Sequence, residues 1–103
     1  MVSSMIDYIK DYGISNLEYE YILRDLKKEF IDILDIEEAN IKEVLSYYNE
    51  LGITSSIYNI IMNRFDLIIN SKDELEKKIC SIDLRLFRKI VKEDIDFLVM
   101  FGI

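Results

Sequence analysis

Residues 51–59 read LGITSSIYN. The chain has only three glycines, and each stands between an aromatic or leucine residue and an isoleucine: YGIS at 12–15, LGIT at 51–54 and FGI at 101–103. Glycine reaches the left-handed backbone conformation that commonly ends a helix. A Ser or Thr shortly after it can accept an unpaired amide of a following helix. An isoleucine between the two sits where it can pack back onto the first turn, as Ile53 can on Ile57 or Tyr58. Each complete triplet therefore reads as a joint between helices.

Outward from these joints the pattern stays helical. Proline is absent, so no helix is interrupted by a missing N–H. Apolar residues recur at three and four rather than at two. The spacing predicts helices near 4–12, 16–29, 36–51, 55–64, 72–80, 83–92 and 94–101. Capping pairs start several of them: Ser4 with Asp7, Ser15 with Glu18, Asp35 with Glu38 and Ser71 with Glu74. The expected inward faces are Met5, Ile9 and Tyr12; Leu17, Tyr21 (or Ile22) and Leu26; Ile41, Val44, Leu45, Tyr48 and Leu51; Ile57, Ile60 and Ile61; Leu75 and Ile79; Leu84, Phe87, Ile90 and Val91; and Ile95, Leu98 and Val99. FIDILD at 30–35 and FDLII at 65–69 read as short apolar turns. The fold class is all-α, with short helices joined by tight turns. Residues 1–103 form a single domain. Units of helix, apolar turn and helix at 12–50, 51–80 and 81–103 suggest an α-solenoid-like helical repeat; a compact orthogonal bundle is the other arrangement.

The second unit, LGITSSIYNIIMNRFDLIINSKDELEKKI, resembles the helical repeat of the mitochondrial transcription termination factor (mTERF) family. The resemblance lies in Leu51, Gly52, Ile53, Thr54, Ile57, Ile60, Ile61, Leu67, Ile68, Ser71, Glu74 and Leu75, mainly within residues 51–79. Phe65 stands where that repeat usually has proline. The resemblance implies stacked helical units and, through the family's basic concave face, nucleic-acid binding.

Composition narrows the chemistry. Histidine is absent, which removes the usual general base, the commonest metal ligand and His-activated nucleophiles. Cys80 is the only cysteine, so no internal disulfide or thiolate zinc cluster can form. A small, partly buried role is expected for it. Asp32, Asp35 and Glu38 surround a helix start, where carboxylates favour the dipole. No phosphate-cradling glycine loop or catalytic motif is present. The expectation is a protein without catalytic residues, cofactor or metal. The first residues lack a basic-then-apolar leader, and no apolar run reaches the roughly 20 residues of a membrane span. A cytoplasmic protein is expected.

Charge is unevenly spread. Residues 1–50 carry five basic and twelve acidic side chains, whereas residues 51–103 carry eight of each, so the whole net charge of −7 lies in the first half. Within the neutral half, Arg85, Arg88, Lys89 and Lys92 repeat at helical spacing and form one basic stripe, with Lys77 and Lys78 upstream. All seven tyrosines fall within residues 8–58. The adjacent or near-adjacent pairs Tyr19/Tyr21 and Tyr47/Tyr48 should each leave one ring partly exposed, making Tyr19 and Tyr47 candidates for partner contact. Three functions fit: a small protein-interaction module; an acidic antagonist, such as an immunity protein, antitoxin or nucleic-acid mimic, of a basic partner; and a nucleic-acid binder using the basic stripe. The expected partner is another protein, with the chain itself a monomer or weak homodimer. Leu98, Val99, Met100 and Phe101 are expected either to fold back on the helix at 83–92 or to be covered by a second copy.

Overall fold

The computed structural model describes the backbone of residues 2–103 and the side chains of residues 6–103. The expected Ser4 cap and the inward Met5 fall outside the described side chains. Among the described residues there is no strand. The chain begins with a 3₁₀ segment, Val2–Tyr12, broken at Ile6. Seven α-helices follow: α1 (Asn16–Asp25), α2 (Lys28–Ile36), α3 (Glu38–Glu50), α4 (Ile57–Asn63), α5 (Asp66–Ile69), α6 (Lys72–Ile79) and α7 (Leu84–Glu93). A 3₁₀ turn, Thr54–Ser56, precedes α4, and a 3₁₀ segment, Ile95–Phe101, follows α7.

Local signals set several boundaries. Ser15 and Glu18 form the full reciprocal capping box at the start of α1, and Ser71 accepts the Glu74 amide at the start of α6. The expected Asp35 cap is not formed. Asp35 lies inside α2, and only Glu37 separates α2 from α3, so no extended residue is left to cap α3. FIDILD belongs to α2, a nine-residue helix, rather than to a turn. α1 ends at Asp25, short of the expected 29, because Leu26 is extended.

The core is one cluster of isoleucine, leucine and aromatic side chains. α3 lies at its centre and buries Ile41, Val44, Leu45 and Tyr48 as expected. Around it pack the N-terminal 3₁₀ segment, α2, α5 and α6. Phe30 of α2 stacks on Phe65 at 4.4 Å. The Tyr48 hydroxyl donates to the Leu67 carbonyl at 2.6 Å, and burial pushes its pKa well up. On α1, Ile22 and the following Leu26 are buried as expected, whereas Leu17 is exposed and Tyr19 is buried in its stead.

All three glycines have positive φ: 114° at Gly13, 81° at Gly52 and 75° at Gly102. After α3, the Gly52 amide bonds the Asn49 carbonyl and the Ile53 amide bonds the Tyr48 carbonyl, the paired bonds of a Schellman ending. The same pair recurs at the chain's third glycine, from Gly102 to Val99 and from Ile103 to Leu98. The first two joints also meet each other. Asn49 Nδ2 donates to the Tyr12 carbonyl at 3.0 Å and to the Leu45 carbonyl at 2.9 Å, while its Oδ1 accepts from Thr54 Oγ1 at 3.1 Å.

Candidate functional site

α7 is strongly amphipathic, which gives each of its faces a separate task. Phe87, Ile90 and Val91 are buried against the core. Asn59 Nδ2 donates to the Val91 carbonyl at 2.8 Å and ties α4 to α7. The opposite face carries the basic stripe, and the structure divides its four cations. Arg88 is half-buried; its Nη1 donates to the Leu51 carbonyl at 3.0 Å, satisfying an acceptor at the end of α3. Arg85, Lys89 and Lys92 are exposed and form no ion pair among the described residues. Arg88 thus serves the fold, and three cations remain available along the helix.

The segment after α7 folds back on that helix. It does so as a 3₁₀ helix, with three residues per turn. Ile95 and Leu98 then share a row and are buried. Val99, expected to face inward with them, is instead turned outward and is 66% exposed. Folding back therefore covers only part of the apolar segment. Phe97, Met100 and Phe101 also remain exposed, Met100 at 74%. Phe97 and Phe101 meet edge to face at 5.8 Å. The end of the segment is held by Arg64, whose guanidinium bonds Asp66 through two nitrogens and also donates to the Ile103 backbone oxygen.

Between α7 and this segment lies an open groove of about 290 Å³, lined by Leu86, Lys89, Ile90, Glu93, Asp94 and Phe97. Leu86 and Phe97 supply its exposed apolar wall. Lys89 belongs both to the groove and to the basic stripe, so the stripe meets the apolar trough there, with Arg85 and Lys92 about one turn to either side on α7. Glu93 and Asp94 line it towards the C-terminal end of α7.

The two tyrosines singled out by sequence lie elsewhere. Tyr19 on α1 keeps 7% exposure and Tyr47 on α3 keeps 6%. The expectation of one partly exposed ring per pair holds for Tyr21 and is corrected for Tyr47/Tyr48, both of which are buried. Lys10 sits over the Tyr19 ring at 4.8 Å and Lys72 over the Tyr47 ring at 5.8 Å. Tyr47 lines a polar recess with Lys42, Glu43, Glu50 and Lys72, and burial raises its pKa, with smaller contributions from Cys80, Glu76 and Glu50. Cys80 is exposed at the end of α6, not partly buried as expected.

Sequence reasoning found the stripe but missed Leu86 and Phe97. Leu86 lies between the helix's core face and its charged face. Phe97, two residues from Ile95, falls off the row that Ile95 and Leu98 bury. Among the described residues no group of three His, Cys, Asp or Glu side chains could hold a metal ion, and no helix is long and apolar enough to cross a membrane. Comparison with known protein families, with curated proteins and with solved structures finds no match to this chain.

Proposed function

We propose that this protein is a non-enzymatic helical interaction module that docks another protein on the face formed by α7 and the Ile95–Phe101 segment. One observation carries the reading. Of the eight large apolar side chains exposed among the described residues, five belong to α7 and the Ile95–Phe101 segment: Leu86, Phe97, Val99, Met100 and Phe101. Exposed apolar side chains scattered singly need no explanation, whereas a concentration of them with a polar rim marks an interaction surface. Aromatic residues and methionine are also the types enriched at such surfaces.

The rival readings have less to work with. Among the described residues, an acidic antagonist using the first half of the chain would offer only Leu17 and Ile36 as exposed large apolar anchors, on different helices. A nucleic-acid binder would use the stripe without Arg88, against a net charge of −7. The single exposed thiol at Cys80 suits a reducing compartment, and we assign the module to the cytoplasm.

The test compares the tagged protein with its Val99→Ser/Met100→Ser variant in affinity capture from the native host, read by quantitative mass spectrometry. These side chains are exposed, so the variant should melt within a few degrees of the parent. The expected result is a protein partner enriched by the parent at least about tenfold over the variant, equivalent to about 1.4 kcal/mol of binding. Identical capture by the two proteins would remove this face from the function.

A further inference from the structure

From the placement of charge beside the groove, we infer that the partner element is an amphipathic helix with an apolar stripe flanked by carboxylates. This rests on the reading of the α7 end as a protein-docking face. The groove has one apolar wall from α7 (Leu86 and Ile90) and one from the following segment (Phe97). A trough between two helical elements accepts a third helix laid along it, by apolar side chains at three- and four-residue spacing.

The cations specify the flank. Arg85, Lys89 and Lys92 span seven residues of α7, about 10 Å of helix axis, or two turns of a helix lying alongside. None forms an ion pair among the described residues. Carboxylates spaced by three and four on the partner can meet them in turn. Glu93 and Asp94 line the groove as well, so the acidic flank should end before it reaches them. Net charge does not oppose this pairing strongly. The first half of the chain carries the excess acid, and at physiological salt a charge is screened beyond about 8 Å, so a short helix responds chiefly to the cations it touches. A nucleic acid fits less well, because three cations in single file beside an apolar trough offer few phosphate contacts and leave Leu86 and Phe97 without a role.

The test uses two labelled, stapled helical peptides of about 18 residues, stapling being needed because free helices of that length are marginal in water. They share a Leu/Phe stripe; one has Glu at the flanking positions and the other Lys. Fluorescence anisotropy is measured against the full-length protein, with a 20-base-pair DNA duplex as a third probe at about physiological salt. The Glu peptide is expected to bind at least about tenfold more tightly than the Lys peptide. The preference should reverse in Arg85→Glu/Lys89→Glu. Leu86→Ser should weaken the Glu peptide, with circular dichroism melting confirming that both variants fold.

Equal binding of the two peptides that is still lost in Leu86→Ser would overturn the acidic-helix inference while leaving the docking face intact. Failure of both peptides, or binding indifferent to Leu86→Ser, would remove the face as well. DNA binding that survives Leu86→Ser and is lost in the charge-reversed variant would put a nucleic acid in place of the helix.

Discussion

The joint at 51–53 and the one at 101–103 are built alike and live differently. Each places a glycine in the left-handed region and closes the same two backbone bonds. Around Gly52 the molecule is filled: a Cβ there would lie 3.1 Å from Arg88 Nη1, and Arg88 also holds the Leu51 carbonyl. Around Gly102 nothing lies within 4 Å of where a Cβ would be. Gly13 is the extreme case, since its Cβ would meet the Thr54 carbonyl oxygen at 2.4 Å. The local motif needs glycine for its backbone angle. The surroundings decide how much more a substitution costs.

Alanine substitutions turn this contrast into numbers, measured by chemical denaturation. Gly13→Ala should be the most damaging, at about 3 kcal/mol or more, because unfavourable φ and backbone overlap with the second joint act together. Asn49→Ala should cost about 2 kcal/mol, since it leaves the Tyr12 carbonyl and Thr54 hydroxyl without their partner. Gly52→Ala should cost about 1.5 kcal/mol, the strain of a positive φ plus a small displacement of Arg88. Gly102→Ala should cost about 1 kcal/mol or less, the backbone strain alone at a site with open space. Equal losses at the three glycines would show that only the backbone angle matters and that the contact between the first two joints contributes nothing.

What could be read from the sequence followed the range of the interaction that sets it. The Ser15–Glu18 box and the Ser71 cap involve residues three apart, and both were visible as pairs of letters. So was the inward face of α3, a long helix with apolar residues on one side. The inward face of α1 was legible at Ile22 and Leu26 but not in its first turn: Leu17 and Tyr19 are both apolar enough to be buried, and the neighbouring elements chose Tyr19. Asp35 looked like a cap because its spacing from Glu38 is right, but the near-continuous passage from α2 into α3 removed the position it would have filled. The candidate site divides in the same way. The basic stripe is a periodicity within one helix and was readable. The withdrawal of Arg88 to the Leu51 carbonyl spans 37 positions, and the pitch of the Ile95–Phe101 segment decides which of its side chains reach solvent. Neither is written in local spacing.

The Asn49 clasp bears on the protein's lifetime as well as its stability. Its bond to the Tyr12 carbonyl also spans 37 positions, so closing it carries the loop entropy of the intervening chain, and it is expected to form late in folding. A contact that forms after the rate-limiting step leaves the folding rate alone and is felt only when the protein opens. In stopped-flow measurements Asn49→Ala should therefore refold at the parent's rate and unfold about thirtyfold faster, the full equivalent of about 2 kcal/mol. One amide bridging two glycine joints would then act mainly as a brake on opening, setting how long a folded molecule persists once it has been made.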